Sequence, residues 1–182
     1  MEDTDLKNRK LVVILILVLL VSTVLISYGI NYMRAITTLR QFSKLIKQEE
    51  INDISLTIHY MSPFIFTFFP ITIEGLVNGN EQFKTVIVGS DFEEHIDLFM
   101  QMGNATVVPA WKKTPYMDIR IYYVFTSEEK GKLFDVAMWG IDENIFINGI
   151  EVRENAVFYD VIMPYLPEDE AQQLVEYIGR GN

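Results

Sequence analysis

Residues 11–33, LVVILILVLLVSTVLISYGINYM, run for 23 positions without one charged side chain. As a helix rising ~1.5 Å per residue, the run is roughly 34 Å long, enough to cross a hydrocarbon core of about 30 Å. A cleaved signal peptide would carry an apolar stretch of about 7–15 residues ending in an A-x-A-like site. This run is longer, and its end offers only Ser27-Tyr28-Gly29. Tyr28 and Tyr32, one turn apart, suit an interfacial aromatic belt. The expectation is a single-pass signal anchor that contacts membrane lipid through residues 11–33. Lys7, Arg9 and Lys10 precede the run and Arg34, Arg40, Lys44 and Lys47 follow it, so the positive-inside rule does not choose an orientation. The signal-anchor layout does, and it puts the C-terminal domain on the extracytoplasmic side.

Charge divides the chain further. The tail 1–10 is neutral overall and the stretch 34–50 carries a net +2. Residues 51–182 hold 8 basic and 20 acidic side chains, a net of −12. A domain of that sign repels phosphate backbones, so nucleic acid is not an expected partner. Its 132 residues suffice for one core without disulfides, and the chain has no cysteine with which to form one. The same absence excludes thiolate metal sites and a cysteine nucleophile.

Four segments are expected: a tail (1–10), a membrane helix (11–33), a juxtamembrane helix (34–50) and an acidic globular domain (51–182). The helix should continue to about residue 48, because Met33, Ile36, Leu39, Phe42 and Leu45 recur every third position, with Ile46 beside the last. That stripe can lie on lipid, pair with another helix or pack on its own domain, the commonest outcome. Alternation predicts a strand at 54–60, with Ser55, Thr57 and His59 toward solvent, and another at 83–88. A helix should start at Ser90 with a capping box to Glu93 and stop at Gly103. Strands are expected at 105–111, 117–126 and 132–139, then a hairpin about Asn148-Gly149. Pro167 and the acidic Glu168-Asp169-Glu170 open a last helix with Leu174, Val175 and Ile178 inward. Together these describe an α+β domain with a mainly antiparallel sheet, one face covered by two or three helices.

Few side chains stand out chemically. Thr23, Ser27 and Asn31 form an i, i+4 stripe that could seat a partner helix or a second copy of the chain. The simpler reading is that the hydroxyls bond back to their own helix. Phe64, Phe66, Phe68 and Phe69 crowd between Pro63 and Pro70. Burial is the default for phenylalanine, so the segment is expected to lie over the core. Exposed, it would be the best binding surface in the chain. Asp91 and His95 are spaced to share a helix face, but an acidic solvated surface explains them as well. Arg120 and Asp135 share a face if strands 117–126 and 132–139 pair in an odd register. Asp142, Glu143 and Asn144 read as a turn without the glycine and terminal glutamate of a calcium loop.

No nucleophile elbow, phosphate loop, dinucleotide fingerprint or H-E-x-x-H motif occurs, and no cofactor or metal is expected. The chain reads as a non-enzymatic binding or accessory module at a cell envelope, engaging a protein partner or another copy of itself. The alternatives are a membrane-tethered hydrolase using carboxylates or a metal near Asp91 and His95, and a small subunit that works through its membrane helix.

Overall fold

The computed structural model describes residues 2–47, 53–80, 82–110, 114, 118–139 and 144–179, with the side chains of 2–8, 45–47, 80, 90 and 139 outside that description. Residue 48, the side chains of Leu45 and Ile46, and Asp142 and Glu143 of the expected turn therefore lie outside it. The chain folds as one long apolar N-terminal helix followed by a six-stranded antiparallel sheet with several helices, an α+β architecture.

Helix α1 (Glu2–Lys47) is continuous from within the tail, through the apolar run and into the juxtamembrane stretch. Among the described residues it is the one helix long and apolar enough to cross a membrane. The apolar side chains from Leu11 to Ile26 stand exposed, as do Ile30 and Met33, whereas Ala35, Leu39, Phe42 and Ser43 are buried in the domain. That spacing of four, three and one follows the 3.6-residue turn. The every-third-position stripe would drift around the helix, and Met33 accordingly faces outward. The Phe42 ring lies 4.6 Å from Phe125 and 5.0 Å from Phe134 between centroids. Phe42 thus anchors α1 in the main core, beyond what its area alone would supply.

The sheet runs in the order β2-β1-β3-β4-β5-β6. Its strands are β1 (Ile54–Tyr60), β2 (Phe83–Val88), β3 (Ile119–Ser127), β4 (Gly131–Trp139), β5 (Asn144–Ile147) and β6 (Ile150–Arg153). Period-two patterning places Ile54, Leu56, Ile58 and Tyr60 of β1 in the main core with Tyr123, Phe125, Phe134 and Val136. The β5–β6 turn uses Asn148 at φ 47° and Gly149 at φ 75°, the backbone that an Asn-Gly pair favours. Of the strand expected at 105–111, residues 105–110 instead make a single bridge, Pro109 to Val152, and residue 111 lies outside the described residues. Proline has no N–H to extend a ladder, and the segment covers the β6 edge through Ala110 N–H to Glu151 O and Arg153 N–H to Val108 O.

The main-core face carries α1 together with α4 (Ile96–Gly103), α5 (Val157–Asp160), a 3-10 turn (Met163–Tyr165) and α6 (Glu168–Gly179). On α6, Leu174 is buried and Ile178 partly so, but Val175, expected inward, is 57% exposed. The expected helix from Ser90 is broken: α3 (Ser90–Glu93) follows Gly89 at φ 55°, and α4 begins after His95, whose ψ of 22° at φ −121° leaves the helical path.

The other sheet face is covered as well. A smaller cluster of Met61, Ile71, Leu76, Ile119, Tyr122 and Ala137 seals it beneath the connection from β1 to β2. That connection holds α2 (Ile73–Gly75), capped by Thr72 Oγ1 accepting from Gly75 N–H at 3.0 Å, and a wider turn Leu76–Asn80. His59, expected in solvent, is only 4% exposed, with its ring 6.0 Å from Tyr122.

Candidate binding surface on the 63–70 loop

The loop between β1 and α2 is pinned at both ends. Ser62 receives its place from two glutamines: its N–H donates to Gln82 Oε1 and its hydroxyl to Gln173 Oε1, each at 2.6 Å. At the far end Ile71 N–H donates to Asp118 Oδ1 at 3.0 Å, and Ile119 N–H donates to Ile71 O at 2.7 Å. Between these points the chain alternates like an unpaired strand, turning Ile65 and Thr67 inward and Phe64, Phe66 and Phe68 outward.

Arg120 holds the middle of the loop. It sits where the β3–β4 register shifts between Ile119 and Ile121, a bulge that re-aims the side chain out of the ladder. Its guanidinium donates to Asp118 Oδ2 from Nε at 3.0 Å and Nη2 at 2.7 Å, and Nη2 also reaches Thr67 Oγ1 at 3.0 Å. Nη1 points at Met61 Sδ, 3.1 Å away. A planar fork satisfied on two edges fixes geometry as well as charge, which a lysine could not do. The β3–β4 register does put Arg120 and Asp135 on one face, yet they do not pair. Asp135 accepts instead from Lys132 Nζ at 2.7 Å and Tyr122 Oη at 3.1 Å.

On this scaffold the phenylalanines are presented, not buried, contrary to the burial expected of them. Phe66 is 93% exposed, Phe68 95% and Phe69 82%, while Phe64 at 44% rests edge-on against Tyr177 at 6.0 Å. The two prolines and the lack of a neighbouring strand leave the outer side chains nothing to pack on. A pocket of about 240 Å³ opens between residues 63–70 and the Asp118–Arg120 pair. Three bare phenyl rings within four residues, on a loop held at both ends and at Thr67, are unusual for a solvated surface.

The other sites are less assembled. Thr23 donates to its own helix at Leu20 O, 2.8 Å away, and Ser27 is exposed on the same helix, with Asn31 half-buried. Asp91 and His95 do not share a helix face, because the break between α3 and α4 falls between them. His95 stands edge-on to Tyr165 instead, at 5.4 Å. Among the described residues no three His, Asp or Glu side chains gather where one metal ion could be held. No protein-family model, no curated protein and no solved structure matches this chain.

Proposed function

We propose that this chain is a single-pass, membrane-anchored, non-enzymatic binding module whose extracytoplasmic domain engages a protein partner through Phe66, Phe68 and Phe69. The observation that carries the reading is the near-complete exposure of these rings on a loop held by Arg120, Ser62 and Ile71. Burying three such side chains in a partner's groove would supply the dominant apolar anchors of a small interface. The prior pinning of the loop lowers the ordering cost of association. A signal anchor, suggested by the short basic tail and uncharged run, would export the domain.

Position favours protein over lipid. α1 faces the β5–β6 hairpin across a groove that Ile26 to Thr38 line in part, and it reaches β3 and β4 with Phe42, so it approaches the sheet from its β6 side. The loop leaves β1, which lies three strand spacings of ~4.8 Å, roughly 14 Å across the sheet, from β5.

The test places a photo-cross-linking phenylalanine analogue at Phe69 in native membranes. A discrete adduct with a second protein is expected, and Phe66→Ser with Phe68→Ser should abolish it. Circular dichroism and thermal unfolding should stay unchanged, since both positions are exposed surface. Adducts with lipid alone, or a persistent adduct in the folded double variant, would overturn the assignment.

A further inference from the structure

Where α1 leaves its apolar run, a groove of about 700 Å³ opens between the helix and the β5–β6 hairpin, within the range of ligand sites. Along α1 it is walled first by Ile26, Gly29, Ile30 and Met33 and then by Arg34, Thr37 and Thr38, with Asn148 and Ile150 of the hairpin opposite. The floor is open at Gly29, where an added Cβ would meet nothing within 4 Å. Polarity therefore switches along the groove between Met33 and Arg34, where the charge-free run ends. From Arg34 to Thr38 the helix rises ~6 Å, comparable to the headgroup layer that separates hydrocarbon from water.

We infer that this groove binds an anionic phospholipid, a conclusion that rests on the membrane-anchored reading of α1. The acyl chains follow Ile26, Ile30 and Met33, and the phosphate sits on the Arg34 guanidinium within reach of Thr37, Thr38 and Asn148. Charge complementarity chooses the occupant. Among the described residues Arg34 has no ion-pair or hydrogen-bond partner, and none of those lining the groove is a carboxylate. A zwitterionic headgroup would leave its own cation unmatched there. Asn148 is held in place by accepting from Asp135 N–H at 2.8 Å through Oδ1, which leaves its side-chain amide hydrogens as donors. Asp135, behind it, is already paired with Lys132.

Native mass spectrometry of the full-length protein in detergent, with phosphatidylglycerol or phosphatidylcholine added, tests the assignment. One bound phosphatidylglycerol is expected, preferred about fivefold, the effect of one arginine at a membrane surface. Arg34→Gln should remove the preference, and Gly29→Phe should fill the groove and reduce retention of both lipids. Arg40→Gln, exposed on the same helix outside the groove, should keep the preference. Equal retention of the two lipids by the native chain would overturn the site, and this comparison does not depend on any variant folding. So would equal losses in Arg34→Gln and Arg40→Gln, which would mark a diffuse basic collar. Failure of the anchoring reading would show separately, as release of the chain from membranes by alkaline carbonate.

Discussion

Glu170, in the first turn of α6, keeps one carboxylate oxygen buried with no hydrogen-bond partner. The helix dipole favours a carboxylate at this position, but desolvation outweighs it and, with Asp169 adjacent, raises the Glu170 pKa above its usual value. The nearby Tyr60 phenol offsets only part of this. A group whose folded pKa is raised stabilises the fold below its unfolded pKa, and that contribution disappears as pH rises through the folded value. Glu170→Gln should therefore raise Tm at pH 7 by on the order of 2 °C. The difference from the native chain should shrink as pH falls toward 4, as thermal melts across that range would show. A constant difference, or a lower Tm at pH 7, would contradict the argument. Arg120 is a different kind of buried charge. It is matched on two edges, and the bulge that places it could not be read from the charges in an apolar strand.

At the scale of elements, α1 and α4 approach closely at Gly103. A Cβ on Gly103 would stand 2.7 Å from Ser43 Cβ and 3.1 Å from Ser43 Cα, so the two helices would have to part. Gly103→Ala should destabilise the protein by about 1–3 kcal/mol. Gly179→Ala, with open space around it, should stay within about 0.5 kcal/mol; chemical denaturation measures both. Gly103 was legible as a helix stop, but its role as a contact point was not, because that depends on where α1 lands. The six strands were readable, since alternation and Asn148-Gly149 are local signals, but the same reading added a seventh at 105–111 where the structure has one bridge. His95 ends a turn that its sequence would continue. The turns at Val157–Asp160 and Met163–Tyr165 are too short to show a period. The cover over His59 has no periodicity at all. The four phenylalanines announced a site by composition, yet only tertiary context separates a core loop from a displayed one, because Phe42 and Phe66 are the same side chain.

For the whole molecule, Phe42, Leu39 and Ala35 make the C-terminal part of α1 a piece of the domain's core, continuous with its apolar run. Helix, not a linker, joins the apolar run to the sheet, so on the anchored reading the two are connected directly. The β3–β4 turn reports the domain's side of the membrane. Ser127 at its start is buried, and its hydroxyl is engaged with Asp53, but Glu129 is exposed. With no native cysteine, Glu129→Cys provides a single thiol whose introduction breaks no contact of Ser127. A membrane-impermeant maleimide should label it in intact cells, as an extracytoplasmic domain requires. Labelling only after lysis, with the chain still in the membrane fraction, would place the acidic domain in the cytoplasm. The phenylalanine loop would then face cytoplasmic proteins, and the signal-anchor reading would fall while the anchored fold stood.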